Sequence, residues 1–208
     1  MHTDVRMPMH TDVRVRLNAS AEQLTRLLNL QKAFAQVCNA LAPIVQRSRC
    51  WNRVTLHHLA YRELRERFPA IGSQMVCNAI YSVSRTSRLV FQHPDSPFNI
   101  ARLDGKPLPA LRFTDSCPVY FDRHTLSVKE GRLSMYTLDG RVGFDVALDS
   151  EQEAAFQSKK VREIVLSRSA GAYELRFRFS ESADGDVQPI DATRSAQVPE
   201  YVVIEESP

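Results

Sequence analysis

The sequence predicts an α+β protein in which a small antiparallel barrel carries a helical insertion after its first strand. Apolar and charged residues alternate over residues 11–17, and the same period of two returns in several segments after residue 119, as half-buried strands require. Between these segments, apolar residues recur at steps of three and four, which indicates helices that bury one side. We therefore expect a sheet whose strands lie on both sides of a helical segment in the chain.

The composition fits a globular protein rather than a membrane or secreted one. The chain has 208 residues, of which 43% are hydrophobic and 25% charged, and these are ordinary values for a globular fold. No apolar run approaches the roughly 18 residues that would span a bilayer, and the first 14 residues contain no apolar signal segment. The cysteines form no Cys-x-x-Cys pair and are expected to be reduced thiols of a cytoplasmic protein: Cys38, Cys50, Cys77 and Cys117.

Basic residues are concentrated at the start of the chain. Residues 1–92 contain 13 Arg or Lys and 5 Asp or Glu, whereas residues 93–208 contain 14 and 19. Arginine outnumbers lysine by 22 to 5, and its planar guanidinium binds phosphates and stacks on bases. This pattern favours a nucleic-acid partner, but an arginine-rich composition follows equally well from the base composition of a genome.

A long helix is predicted to begin after residues 18–20, where Ser20 and Gln23 have the spacing of a capping box. We expect Pro43 to kink or end this helix. Its apolar residues form one continuous stripe, which is typical of a buried seam: Leu27, Leu30, Phe34, Val37, Leu41 and Ile44.

A helix–turn–helix pattern occupies the rest of the helical insertion, which we place at residues 19–92. Thr55 is predicted to cap a helix that Pro69 stops, and Ser73 to cap a second helix that runs to about Val90. The polar side of the second helix carries side chains that can pair with base edges: Gln74, Asn78, Tyr81, Arg85 and Arg88. A solvated face on an ordinary helical hairpin fits this pattern equally well.

A connection with five prolines at residues 93–118 is expected to cross the surface without regular structure. Strands dominate after it, and Asp139–Gly140 is a strong type I′ hairpin signal. Five strands and one short helix are predicted: strands 126–129, 133–138 and 142–148, helix 150–158, and strands 161–168 and 172–179.

These strands, together with the first one, predict a barrel of the oligonucleotide-binding type formed by residues 11–18 and 119–180. Residues 1–10 are interpreted as an N-terminal extension. Residues 181–208 contain seven acids and one arginine, and we expect a mobile acidic tail there, except around residues 201–204.

Motifs of enzymatic chemistry are absent from the sequence. It contains neither Gly-x-Ser-x-Gly nor His-Glu-x-x-His, and neither of the glycine patterns that bind phosphates. Only His57 and His58 cluster, and neighbours on a helix point about 100° apart, so the two cannot both ligate one ion. We therefore predict no catalytic residue, no metal site and no cofactor.

Four segments occur in a distinctive order: VRVRLNASAEQLTRLL, LHHLAYRELRERFPAIGSQMVCNAIYSV, LSMYTLDGRVGFDV and VREIVLSRSAGAYELRFRF. This order resembles the first part of TnpB-type transposon-encoded RNA-guided nucleases, which are related to type V CRISPR effectors. The segments are similar, in turn, to the family's first strand and helix, its helical hairpin, its Gly–Arg hairpin and its last barrel strands. The resemblance covers residues 11–180.

In that family a RuvC-like nuclease domain follows, and its first metal-binding aspartate lies on a Gly-(Ile/Val)-Asp-Leu-Gly strand. The corresponding place here reads VQPIDAT, with Asp191 at the position of that aspartate, and 17 residues follow it. Two-metal hydrolysis needs several carboxylates around both ions. We therefore expect a protein that binds nucleic acid without cleaving it.

The resemblance implies a guide-RNA-binding and DNA-docking subunit of an RNA-guided system. Structured guide RNA is expected to contact six arginines of the barrel and its connection: Arg14, Arg16, Arg112, Arg141, Arg176 and Arg178. Duplex DNA is expected to contact the helical hairpin through Gln74, Asn78, Tyr81, Arg85, Arg88, Arg62 and Arg65. A separately encoded RuvC-type nuclease, or a second copy of the chain, is a further expected partner.

Two other functions remain open at this point. A helix–turn–helix regulator would bind DNA alone, as a symmetric dimer, through the second helix of the hairpin. A decayed transposon-derived interaction protein would fold in the same way but bind no guide RNA. RNA that co-purifies with the protein would distinguish these possibilities.

Overall fold

The computed structural model describes residues 11–180 and 198–205, and it confirms the α+β class. The predicted N-terminal extension lies outside the described residues, as do residues 181–197 and 206–208 of the predicted acidic tail. The described helices are α1 (Ala21–Ser48), α2 (Arg53–Arg67), α3 (Ser73–Phe91) and α4 (Ser150–Ser158), with a 3₁₀ turn at Ile100–Arg102. The described strands are β1 (Thr11–Arg16), β2 (Ala110–Phe113), β3 (Val119–Phe121), β4 (Leu126–Lys129), β5 (Arg132–Thr137), β6 (Gly140–Asp145), β7 (Lys160–Ser169), β8 (Ala172–Ser180) and β9 (Val202–Glu205).

The described strands form three antiparallel sheets and not the single closed barrel that was predicted. One sheet has the order β1-β8-β7-β3, β2 pairs with β9, and β4, β5 and β6 form a three-stranded meander. The outer edge of β6 is occupied by helix α1 instead of a strand. Gln23 donates to the carbonyl of Gly143 at 2.7 Å, and Arg26 donates to backbone carbonyls of the β5–β6 turn. Because side chains of α1 take up these edge groups, the meander remains a separate sheet.

Helix α1 begins as predicted, since Ser20 and Gln23 form the reciprocal capping box. Five of the six residues of its predicted apolar stripe are buried, and Ile44 is half-buried. Pro43 does not end the helix, which continues to Ser48. Pro43 lies on the exposed side, and the buried Val45 beyond it anchors the last turns against the core.

Helix α3, the second helix of the hairpin, packs against α1, α2 and β3. It begins at Ser73, which is not a cap: Gly72 occupies the cap position and no side chain bonds the first turn. The cap of α2 differs from the prediction as well, and lies about one helical turn earlier. Asn52, not Thr55, accepts hydrogen bonds from the backbone N–H groups of Val54 and Thr55.

The proline-rich connection contributes a strand to the core, in contrast to the irregular surface segment that was predicted. Strand β2 lies against α1, where Asn39 donates to the carbonyl of Phe113 at 2.8 Å and accepts from its N–H at 2.7 Å. Leu111 and Phe113 are buried. Strand β9, at the place where an exception to the mobile tail was expected, pairs with β2, and its residue Val202 is buried.

The four-stranded sheet has an inner face that covers the core and an outer face that carries the alternate residues. On the inner face the Tyr173 hydroxyl donates to Gln31 of α1 at 2.9 Å, and Phe156 of α4 packs edge-on against Phe177 and Phe179. No helix in the described part of the chain has the length and apolarity needed to cross a membrane.

Candidate nucleic-acid interface

Four of the arginines predicted to bind RNA lie together on the outer face of the four-stranded sheet. Strand β1 pairs with β8 in a register that sets Arg14 directly opposite Arg176, and Arg16 and Arg178 lie diagonally on either side. The arrangement follows from strand alternation, because Val13 and Val15 are buried on the inner face and their neighbours must point outward. We call the outer surface that carries Arg14, Arg16, Arg176 and Arg178 the arginine face.

Acidic side chains partly neutralise the arginine face. Arg14 lies 3.6 Å from Glu174, Arg178 lies 3.2 Å from Asp12, and Arg176 lies 3.6 Å from Glu163. The side chain of Arg14 is 65% exposed, whereas those of Arg176 and Arg178 are 21% and 16% exposed. Arg16 is exposed and has no acid within ion-pair distance among the described residues. Arg14 and Arg16 are therefore the cations of this face that a phosphate reaches first.

Glu163 is a buried acid that joins the sheet to helix α3. Its carboxylate accepts hydrogen bonds from the Tyr81 hydroxyl at 3.1 Å and from the Arg85 guanidinium, in addition to its ion pair with Arg176. Burial would by itself lower the pKa of Arg85, yet that pKa is raised, because Tyr120, Glu163 and Tyr81 favour its charged form. Burial and the carboxylate of Glu163 raise the pKa of the Tyr81 hydroxyl. This cluster keeps Arg85 charged at the margin of the arginine face.

A further cation, Arg53 of helix α2, contacts Tyr81. The guanidinium of Arg53 lies 5.4 Å from the centre of the Tyr81 ring, a cation–π contact. Farther along α2, His57 stacks on Tyr61 with ring centres 4.5 Å apart. Contacts therefore lead without a break from Arg53 through Tyr81 and Glu163 to Arg176 and the arginine face. Two of the predicted DNA-binding groups, Tyr81 and Arg85, are thus linked to the predicted RNA-binding Arg176 through the buried Glu163.

The polar face predicted for α3 is partly covered in the structure. Asn78 is only 6% exposed and donates to the sulfur of Met75 at 3.9 Å. Gln74 is half-buried and donates to Asp122 at 2.5 Å, and Arg88 is half-buried as well. The reason is the central position of α3, which is covered on the side that the helical pattern left polar. The burial of Asn78 does not fit the prediction that it enters a major groove. For the half-buried Gln74, Tyr81, Arg85 and Arg88, entry into a major groove stays a prediction.

The other predicted contacts are dispersed. On α2, Arg62 is exposed and pairs with Glu66 at 3.2 Å, whereas Arg65 donates to the carbonyl of Ile71 and so closes the turn that leads to α3. Arg112 of β2 pairs with Glu205 of β9 at 2.6 Å, in a different sheet from the arginine face. Arg141 lies on the β4–β5–β6 meander.

Two participants in the site were not predicted from the sequence. Arg53 was not singled out, because its partner Tyr81 is distant in the sequence, on another helix. Glu163 was also missed, although an acid in the apolar run that ends at Leu166 is an available sign of a buried partner.

No group of three or more His, Cys, Asp or Glu side chains is placed to hold a metal ion in the part of the chain that the structure describes. Asp191, the position aligned with a nuclease aspartate, lies outside the described residues. The four cysteines are free thiols, and Cys38 and Cys117 are buried.

Comparison with known proteins adds no family to this geometry. No protein-family model matches the chain, and no curated protein shows significant sequence similarity to it.

Proposed function

We propose that the chain binds structured RNA in the cytoplasm through the arginine face and through Arg85 and Arg53, which lie beside it. We also propose that it does not cleave that RNA. The observation that carries the proposal is the direct opposition of Arg14 and Arg176 on neighbouring strands. Opposed like charges destabilise a sheet, and a closely spaced row of guanidinium groups is the arrangement that binds successive phosphates of a nucleic acid.

The sheet geometry suits a helical RNA better than a single small anion. Adjacent antiparallel strands are about 4.8 Å apart and alternate residues on one strand about 6.8 Å apart, so the arginines of this face are spaced like neighbouring phosphates of one backbone. Recognition of structured RNA relies on such backbone and shape contacts more than on base edges. The burial of Asn78 on α3 is consistent with this, since that side chain is not presented for reading bases.

The proposed relation to the first part of TnpB-type nucleases, including a barrel of the oligonucleotide-binding type, rests on the four sequence segments and their order. Under this proposal the RNA is a guide, duplex DNA is a second ligand, and a RuvC-type nuclease or a second copy of the chain is a partner. The exposed arginines of α2, including Arg53 and Arg62, are better placed than α3 to contact a duplex.

Sequencing the nucleic acid that co-purifies with the full chain tests the proposal. We expect a narrow set of RNAs with paired regions, lost on treatment with ribonuclease and retained on treatment with deoxyribonuclease. Recovery of duplex DNA alone would favour the helix–turn–helix regulator, and recovery of no nucleic acid would favour the interaction protein. Incubation of the bound RNA with Mg²⁺ should produce no cleavage; cleavage that Asp191→Ala abolishes would overturn the non-catalytic assignment.

A further inference from the structure

The outward side of the β4–β5–β6 meander is a second cationic surface, in a different sheet from the arginine face. Strand alternation produces it: Leu133 and Met135 of β5 are buried, so Arg132 and Tyr136 point to the opposite side, where both are exposed. Arg141 of β6 lies directly opposite Tyr136 in the register and is also exposed. We call the surface that carries Arg132, Tyr136 and Arg141 the outer meander face.

Tyr136 is the only exposed Phe, Tyr or Trp among the described residues, with 44% of its surface accessible. The guanidinium of Arg141 lies 4.5 Å from the centre of its ring. Arg141 is fixed in turn by hydrogen bonds to the hydroxyl groups of Ser134 and Ser127, at 2.9 and 3.2 Å. An exposed aromatic ring beside an ordered arginine is a stacking platform for a nucleobase. Because the pair is ordered before a ligand arrives, binding loses little conformational entropy there.

The charge of the outer meander face is complementary to phosphate. The side chain of Arg132 extends across Gly143, since a Cβ atom added to that glycine would lie 3.4 Å from its Nε atom. Asp145 is opposite Arg132 in the register, but Arg132 has no acid within ion-pair distance among the described residues. Lys129 pairs only with Glu130, and both side chains are 84% exposed, so the pairing is weak. The face therefore carries more cations than acids.

The exposed ring favours unpaired RNA over a duplex. Bases inside an A-form helix are stacked on one another and cannot reach a protein ring, whereas unpaired bases stack on aromatic side chains and on arginine. Arg132 and Tyr136 are four residues apart on one strand, or about 13 Å, a distance that an extended strand of RNA covers in a few nucleotides. The arginine face has no exposed aromatic ring among the described residues and suits a paired backbone.

Helix α1 keeps the two faces close together. Gln23 follows Arg16 of the arginine face by seven positions, so their Cα atoms are at most about 25 Å apart. The Gln23 side chain donates to the carbonyl of Gly143, on the outer strand of the meander, at 2.7 Å. One RNA with a paired and an unpaired part can therefore contact both faces at once.

We propose that the outer meander face binds an unpaired stretch of RNA, with a base stacked against the Tyr136–Arg141 pair and a phosphate on Arg132. The inference rests on the proposed function, in which the arginine face holds the paired part of the same RNA. It adds a requirement for a single-stranded segment next to the paired one.

Fluorescence of 2-aminopurine tests the proposal, because stacking on an aromatic ring quenches it. The probes are a blunt RNA hairpin, the same hairpin with a single-stranded extension of about six uridines, one of them replaced by 2-aminopurine, and the extension alone. Each is titrated with the full chain, with Tyr136→Ala, and with Tyr136→Phe as the matched control that keeps the ring. Filter retention measures binding in parallel, and circular dichroism confirms that the variants fold.

We expect the wild-type chain and Tyr136→Phe to quench the extension and to bind the extended hairpin about tenfold more tightly than the blunt one. Tyr136→Ala should lose both the quenching and the tenfold gain, because it removes the ring. Its affinity for the blunt hairpin should equal that of wild type, because the arginine face is unchanged.

The outcomes separate this inference from the proposed function. Quenching that depends on Tyr136, without retention of the blunt hairpin by wild type, would support the outer meander face and contradict the role of the arginine face. Equal retention of both hairpins without quenching would overturn the outer meander face and leave the RNA function standing. Displacement of the extension by a poly-glutamate peptide of equal charge and concentration would assign the face to an acidic protein and overturn the inference.

Discussion

Arg14 of β1 and Arg176 of β8 lie directly opposite each other, so that two guanidinium groups share a small area of the outer sheet face. Such a pair lowers the stability of a sheet, and two acids offset it: Glu174 lies 3.6 Å from Arg14, and Glu163 lies 3.6 Å from Arg176. Local arrangements that oppose stability in an otherwise consistent fold are found mainly at functional sites. The two acids differ in burial, so that their loss should affect stability to different extents.

Glu163→Gln should lower the free energy of unfolding by about 2–3 kcal/mol, because it leaves Arg85 and Arg176 without the buried carboxylate that compensates them. Glu174→Gln is the matched control: that side chain is 39% exposed, against 2% for Glu163, and its loss should change stability by less than about 1 kcal/mol. Urea unfolding of both variants provides the measurement. Equal effects would contradict the role of Glu163 as the link between α3 and the sheet.

Strand β9 should be required for stability. Val202→Asp places a charge at a position that is 6% exposed and should lower the free energy of unfolding by about 3 kcal/mol or more. The adjacent Val203 is 37% exposed, and Val203→Asp should have an effect below about 1 kcal/mol. Thermal unfolding of the two variants compares them directly. If neither variant unfolds at a lower temperature than wild type, the pairing of β9 with β2 contributes nothing to the folded state.

The protein should lose stability above about pH 10. Burial raises the pKa of Tyr120 well above its ordinary value of 10.0, and burial also raises that of Tyr201. Above pH 10 the unfolded chain releases these protons while the folded chain keeps them, so stability falls as pH rises, by up to about 1.4 kcal/mol per pH unit for each tyrosine. Urea unfolding between pH 9 and about pH 11 measures the slope.

Tyr120→Phe should make that slope shallower, because phenylalanine has no proton to release. Tyr136→Phe removes a hydroxyl from a ring that is 44% exposed and serves as the control with the wild-type slope. An identical slope in the Tyr120 variant and in wild type would show that this hydroxyl titrates alike in the folded and unfolded chain.

Asn78 should affect folding and not base preference. It is buried on α3, so Asn78→Ala should alter the free energy of unfolding by about 1 kcal/mol and leave the relative affinities for different duplex sequences unchanged. Asn29→Ala, at an exposed position of α1, is the control for general effects of the substitution. Duplex-binding assays over a set of base substitutions decide: a change of preference at one or two base pairs in Asn78→Ala would restore α3 as a reading helix.

Elements with a long, unbroken period were predicted well from the sequence. The apolar stripe from Leu27 to Leu41 predicted α1, and the spacing of Ser20 and Gln23 predicted its capping box. The alternation around Arg14 and Arg176 predicted the two strands whose outward residues form the arginine face. Their pairing could also be anticipated, because both strands have one apolar side that must face the same core.

The remaining features depend on contacts distant in sequence. Nothing local to Asn78 shows that β3 and α2 will cover both sides of α3, so a helix that looks amphipathic was assigned a free polar face. Strand β2 is four residues long and directly follows Pro109. Its pairing with β9 joins residues as far apart as Ala110 and Glu205. The barrel was predicted because edge strands look alike in a sequence, whether another strand or a helix such as α1 covers them.

The most direct test of the arginine face is the salt dependence of RNA binding. The co-purified RNA is titrated with wild type and with Arg14→Ala/Arg16→Ala, which removes the two most exposed cations of the arginine face. Arg112→Ala is the control, because Arg112 is a half-exposed, ion-paired strand arginine in another sheet. If about six phosphates are neutralised, wild-type affinity should fall about a thousandfold between roughly 50 and 200 mM salt. The double variant should bind more weakly with a slope reduced by about two units, and the control should match wild type. A slope that the double variant leaves unchanged, or wild-type binding that is insensitive to salt, would contradict the account.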